Sequence, residues 1–128
     1  GNLNAKRDWG YAKDYVEPMW LILKQKTPED YVISTGKQHT VREFISKAFK
    51  HINIEIVWKG KHKNELGLNK KNKDVLVKID PYYFRPNEVE DLLGDSTKAM
   101  KKLNWKSKTN LDSLIKIMMK HDLKLRGL

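Results

Sequence analysis

Cysteine is absent from the 128 residues. That excludes a disulfide framework, a thiolate metal site and a cysteine nucleophile, and it suits a reducing, cytoplasmic setting. Long apolar runs are absent as well. The longest, Met19 to Leu23, falls far short of the roughly 18 residues of a membrane span, and no signal-peptide pattern is present. Glycine is sparse and scattered: of Gly1, Gly10, Gly36, Gly60, Gly67, Gly94 and Gly127, no two lie within five residues of each other. A dinucleotide fingerprint needs clustered glycines so that backbone N–H groups can approach a pyrophosphate, so that fingerprint is missing. His39, His51, His62 and His121 show no metal-ligand spacing. There is no Gly-x-Ser-x-Gly for a serine nucleophile.

Arginine is also scarce. Of 26 basic residues, 22 are Lys, against 16 acidic residues, for a net charge of +10. Such a charge attracts polyanions. A nucleic-acid reader leans on Arg and interleaved aromatics, so a basic nucleic-acid-binding module is kept only as the alternative of a different class. The basic stretch Lys59 to Lys73 reads as a solvated loop.

What is present suffices for one domain over residues 1–128. Gly1 to Leu3 reads as the end of a strand. Val16, Met19, Trp20 and Leu23 recur at i, i+3, i+4, i+7 and predict a helix from Asp14 to Lys24. Pro18 inside it predicts a kink or a later start. Tyr31 to Ser34 reads as a short strand. Thr40 with Glu43 forms a capping box for a helix to His51, whose stripe is Val41, Phe44, Ile45, Ala48, Phe49 and Ile52. Strands are predicted at Ile54 to Trp58 and Val75 to Ile79, and an irregular segment from Pro81 to Glu90. Asp95 or Ser96 caps a helix that turns Ala99, Met100 and Leu103 inward. Thr109 with Asp112 caps the last helix, which buries Leu111, Leu114, Ile115 and Met118.

Two arginines far apart in sequence each stand beside carboxylates: Lys6-Arg7-Asp8 and Arg85-Pro86-Asn87-Glu88. The Arg fork matches phosphate oxygens bidentately, and the Glu88 carboxylate can accept from two donors at once. Asn2, Lys6 and Tyr83 are plausible companions at the same site. The plain structural alternatives are ion pairs of Arg7 with Asp8 or Asp14, and of Arg85 with Glu88 or Asp91. Trp9 and Asp14 are expected to position the segment rather than touch a ligand.

The order of blocks resembles the carboxy-terminal part of GDP-mannose 4,6-dehydratases, which are extended short-chain dehydrogenases/reductases. The blocks are Gly1-Asn2-Leu3-Asn4-Ala5-Lys6-Arg7-Asp8-Trp9-Gly10, Ala12-Lys13-Asp14-Tyr15-Val16-Glu17, Glu29-Asp30-Tyr31-Val32-Ile33, Thr35-Gly36 and Val41-Arg42-Glu43-Phe44. Downstream they continue as Asp80-Pro81, Tyr83-Phe84-Arg85-Pro86, Glu88-Val89 and Leu92-Leu93-Gly94-Asp95. The resemblance implies an α/β lobe of mixed α+β content, with about four helices and a few short strands, belonging to a Rossmann-type enzyme whose Rossmann half is missing here. It implies a lyase of GDP-fucose-type nucleotide-sugar metabolism that converts GDP-mannose to GDP-4-keto-6-deoxymannose with NADP. In this reading NADP sits on the missing half, with no cofactor or metal residue in this chain. Arg7, Arg85 and Glu88 bind GDP-mannose, and the full enzyme is a homo-oligomer without a membrane anchor. None of the five tyrosines has Lys four residues on, so the family's Tyr-x-x-x-Lys pair is absent and the chain alone is expected to be inactive. A sister dehydratase, epimerase or reductase on another nucleotide sugar remains the nearest alternative.

Overall fold

A computed structural model describes residues 1–85, 89 and 91–127. In chain order the elements are β1 (Lys6–Arg7), α1 (Ala12–Leu23), β2 (His39–Thr40), α2 (Val41–His51), β3 (Ile56–Lys59), β4 (Leu66–Asn69), β5 (Val75–Lys78), α3 (Thr97–Leu103) and α4 (Leu111–Leu125). Single 3₁₀ turns lie at His62–Asn64 and Pro81–Tyr83. Among the described residues this makes a mixed α/β lobe of four helices and two small antiparallel sheets, β1-β2 and β3-β4-β5.

The start of the chain differs from expectation. Gly1 to Leu3 is not a strand end. Asn2 Oδ1 accepts from the Asn4 N–H at 2.9 Å, closing a local turn, and the strand follows at Lys6–Arg7, paired with His39–Thr40. α1 begins at Ala12, two residues before the expected start, and runs through Pro18. A proline in a helix leaves the carbonyl four residues back without its donor. Here that carbonyl belongs to Asp14, and the indole N–H of Trp105 donates to it at 3.1 Å. The helix therefore continues across Pro18, which is fully buried.

Thr40 caps α2 by accepting from the Glu43 N–H at 3.0 Å. The Glu43 carboxylate does not close the box. It turns to His39 and Lys47 instead. Lys59 to Lys73 is not a loop throughout: it holds β4, which pairs with β3 from Ile56↔Asn69 to Lys59↔Leu66 and with β5 on its other edge. Gly67 permits this, since a Cβ there would lie 2.9 Å from the Trp58 ring. Among the described residues, Tyr31 to Ser34 forms no ladder with another strand.

The core gathers around Ala99, Leu103 and Trp105, with Tyr15, Leu21, Ile22, Tyr31 and Ile33 packed against it. A second contact joins α2 to α4, where Leu111, Leu114 and Ile115 are buried. Met100 and Met118, both expected inward, are 47% and 43% exposed. Beyond Ile115 the partly covered positions of α4 are Met119 and Leu123, which leaves Met118 outside, and on α3 Ala99 and Leu103 take the buried places beside Met100. Asn110 rather than Thr109 caps α4, accepting from the Ser113 N–H at 2.9 Å. Asp95 Oδ1 accepts from the Thr97 N–H at the start of α3. No helix among the described residues is long and apolar enough to cross a membrane.

Candidate nucleotide-sugar site

The chain's first seven residues form a ridge between two clefts. One cleft, of about 510 Å³, is lined by Asn2, Asn4, Arg42, His62, Phe84 and Arg85 among others. The other, of about 350 Å³, includes Asn2, Arg7, Val41, Val77 and Lys78. Asn2, Leu3 and Ile79 line both. Arg7 and Arg85 thus face neighbouring clefts across one shared wall.

Lys6 and Arg7 reach across to residues 89 and 91. Arg7 donates to the Val89 carbonyl at 2.9 Å and to the Lys6 carbonyl at 2.7 Å. Lys6 Nζ lies 3.2 Å from Asp91 Oδ1. β1 therefore holds Val89 and Asp91. Glu88, with Pro86 and Asn87, lies outside the described residues. Tyr83 is 64% exposed and meets Tyr82 edge-on, with ring centroids 5.0 Å apart. Its carbonyl is the nearest atom to a Cβ built on Gly1, at 3.7 Å.

The rest of the opening motif anchors this ridge. Asp8 accepts from the Thr35 N–H at 3.1 Å, the Thr35 hydroxyl at 2.6 Å and the Gly36 N–H at 2.9 Å. Gly36 has φ +72°, the left-handed region that glycine enters without strain. Trp9 packs on Phe44, with centroids 5.2 Å apart. Asp14 accepts from the N–H groups of Thr109 at 2.8 Å and Lys108 at 3.0 Å. Burial alone would raise the Asp14 carboxyl. The hydrogen bonds from Thr109, Lys108 and Ser107 outweigh it and hold the group below its ordinary value. Burial, reinforced by the charges of Asp8 and Asp14, raises the Tyr15 phenol. Trp9 and Asp14 are thus tied into the scaffold.

Arg42 was legible only as a helix residue. Its guanidinium spans the floor of the larger cleft. It is bidentate on Glu65, with Nη2–Oε2 at 2.9 Å, bonds Asn4 Oδ1 at 2.9 Å, and stacks over Trp58 with Cζ 4.8 Å from the ring centroid. Glu65 is buried. Nothing local marks this pair, because Glu65 stands in the lysine-rich stretch between β3 and β4.

Among the described residues no helix starts on a glycine-rich turn. The N-cap residues are Tyr11, Thr40, Ser96 and Asn110. These termini do not fit a dinucleotide pyrophosphate. No group of three or more His, Cys, Asp or Glu among the described residues could hold a metal ion.

The chain is similar to proteins of known family. The family model described as GDP-mannose 4,6 dehydratase covers residues 1–118. GDP-mannose 4,6 dehydratase of Homo sapiens is 54% identical over 98% of this chain, and that of Drosophila melanogaster 53% identical over 98%. The Vibrio cholerae protein of the same name is 43% identical over 98%. This chain covers 34%, 32% and 36% of those three proteins, so it spans about a third of the relatives' length. The crystal structure of UDP-glucose 4-epimerase from Thermotoga maritima with UDP-glucose superposes with a TM-score of 0.69 at 25% identity, over 98% of this chain and 34% of the other. The family model over residues 1–118 and these identities place the chain in the GDP-mannose 4,6 dehydratase family.

Proposed function

We propose that this chain is the substrate-binding, carboxy-terminal part of a GDP-mannose 4,6-dehydratase and binds the GDP portion of GDP-mannose. The observation that carries this reading is that Arg7 bonds the Val89 carbonyl and Lys6 pairs with Asp91, while Arg85 lines the cleft that shares Asn2, Leu3 and Ile79 with the one Arg7 lines. Arg85 and Arg7 neutralise the diphosphate with charge-assisted hydrogen bonds. Glu88 accepts from the ribose hydroxyls. Asn2, Lys6 and Tyr83 line the approach. Arg42, locked by Glu65 and Asn4, fixes the cleft floor.

NADP supplies hydride exchange in the complete enzyme, and its binding belongs to the polypeptide that this chain does not contain. This chain's work is positional: it neutralises the diphosphate and orients the mannose ring toward that polypeptide. The 128-residue chain alone is expected to show no turnover, and any dehydration of GDP-mannose by it would sink this division of labour.

The decisive measurement is calorimetric titration with GDP and GDP-mannose. Arg85→Ala is expected to weaken binding by about 1–3 kcal/mol, the scale of a lost charge-assisted hydrogen bond. Unchanged affinity removes Arg85 from the site. The likeness to the UDP-glucose-bound epimerase favours one rival, a sister activity on another nucleotide sugar. UDP-glucose binding as tightly as GDP-mannose would select it. The net charge of +10 favours a second rival. A salt-steep affinity for duplex DNA with no response to GDP would select nucleic-acid binding.

A further inference from the structure

The turn that joins β3 to β4 lines the larger cleft. Gly60, Lys61, His62 and Glu65 share that cleft with Phe84 and Arg85. The turn is built to hold one shape. Gly60 (φ +87°) and His62 (φ +53°) both take the left-handed region, which side chains other than glycine seldom enter. A Cβ on Gly60 would collide with the Asn64 carbonyl. The Asn64 N–H donates to the Lys61 carbonyl and the Glu65 N–H to the His62 carbonyl, each at 3.2 Å. Buried Glu65 then fastens the turn to Arg42, which stacks on Trp58. The Trp58 indole N–H donates in turn to the Ser46 hydroxyl on α2 at 3.2 Å. Strained backbone that its surroundings hold this firmly clusters at ligand-binding sites.

The fold leaves one donor of this turn unused. Other lysines of the same stretch are engaged: Lys70 pairs with Glu55 at 2.8 Å, and Lys73 Nζ donates to the Lys70 carbonyl at 2.8 Å. Among the described residues, no hydrogen bond or ion pair engages Lys61 Nζ. The cleft around it has the parts that a nucleotide needs. Its volume of about 510 Å³ falls among small-molecule sites. Arg85 suits a phosphate, and the half-buried Phe84 ring offers an apolar face to a base. A base in the cleft meets the turn with its polar edge. Guanine carries two adjacent acceptors, O6 and N7, which one ammonium can bridge. Adenine puts an amino donor in the place of O6.

We infer that Lys61 selects the base of the bound nucleotide. Its ammonium donates to O6 and N7 of a 6-oxopurine, and the Gly60 to Glu65 turn fixes the main chain from which it reaches. This rests on the reading of the cleft as a nucleoside diphosphate site, and it names the residue that discriminates among such ligands.

The experiment uses the complete reading frame that contains this sequence. Calorimetric titration gives its affinities for GDP, IDP and ADP, and GDP-mannose turnover is recorded alongside. IDP keeps O6 and N7 and lacks the 2-amino group of guanine. GDP and IDP are expected to bind alike, each roughly tenfold or more tighter than ADP, the scale of one good contact to a base edge. Lys61→Met keeps the stem and removes the donors. It is expected to bring GDP to within about threefold of ADP and to leave ADP unchanged. Lys61→Arg, whose fork reaches the same two acceptors, is expected to keep the preference. Lys63→Met is the control, since Lys63 is on the same turn and does not line the cleft. Both lysines are exposed, so their replacement leaves the fold intact.

An unchanged ratio of GDP to ADP affinity in Lys61→Met, in a polypeptide that turns over GDP-mannose, overturns the inference and leaves the functional reading standing. Equal losses for GDP and ADP assign Lys61 to the phosphates and overturn it too. IDP binding as weakly as ADP moves recognition to the 2-amino group, with the same consequence. A preference for GDP that Lys61→Met erases, in a polypeptide that does not dehydrate GDP-mannose, upholds the inference and overturns the dehydratase reading. No binding of any of the three by the parent overturns both.

Discussion

α1 and α2 carry the same apolar spacing and meet different fates. In α2 the stripe of Val41, Phe44, Ile45, Ala48, Phe49 and Ile52 is partly buried, with Phe44 against Trp9 and the helix packed on α4. In α1 the stripe of Val16, Met19, Trp20 and Leu23 faces outward, and the buried side is the one that holds Pro18, Leu21 and Ile22. Periodicity reports that a face avoids water. It does not say whether the covering surface lies in the same stretch of chain. On α1 the apolar arc is too broad for a single partner.

The largest expected effect tests the covered face of α1. Trp105 is 2% exposed and carries the hydrogen bond to the Asp14 carbonyl. Trp105→Ala is expected to lower stability by about 3–5 kcal/mol in chemical denaturation, the scale for removing a buried Trp ring. Trp105→Phe isolates the missing indole donor. Pro18→Ala, which restores a backbone N–H to the same carbonyl, should recover part of that loss. Strict additivity of the two changes would deny that Trp105 serves the carbonyl that Pro18 leaves open.

A smaller effect tests how α2 is fastened. Glu65→Ala leaves the Arg42 guanidinium without its bidentate partner in a largely buried setting, at a cost of about 3 kcal/mol. Melting at an unchanged temperature would show that Asn4 and Trp58 suffice to hold Arg42.

Asp14→Asn is expected to cost about 1–2 kcal/mol near neutral pH. Its carboxyl is depressed in the folded chain, so the stability it adds is full above the unfolded carboxyl's range and is lost as pH falls through the folded value. The variant's stability should therefore fall less steeply on acidification than the parent's. Identical acid limbs would remove Asp14 as a source of that dependence. Smallest of all, Trp20→Ala should change the stability of the isolated chain by less than about 0.5 kcal/mol, as for other exposed positions. A larger loss would mean that the outer stripe is already covered and would erase the contrast between the two helices.

Much of the lobe was legible in sequence because its signals are local. Thr40 before an amphipathic run, β-branched residues from Val75, and Asp80-Pro81 as a stop each act within a turn or two of chain. What stayed hidden depends on contacts across the chain. β4 lies within lysine-rich sequence because both its neighbours are strands and Gly67 admits the Trp58 ring. The passage of α1 through Pro18 depends on a tryptophan 87 positions later, and no window around Pro18 contains it. At the candidate site, the residue types at Arg7 and Arg85 pointed to phosphate before any geometry was known. The Arg42–Glu65–Asn4 floor did not, since each member has an ordinary local role.

The clamp between Arg7 and Val89 spans 82 positions, and this sets when the ridge can take its final form. Contacts between distant residues form only after the loop closing them has collapsed. A chain emerging from the ribosome carries Arg7 long before Val89 and Asp91 exist. The ridge is thus assembled late, from a beginning that stays unfinished until most of the sequence has been made.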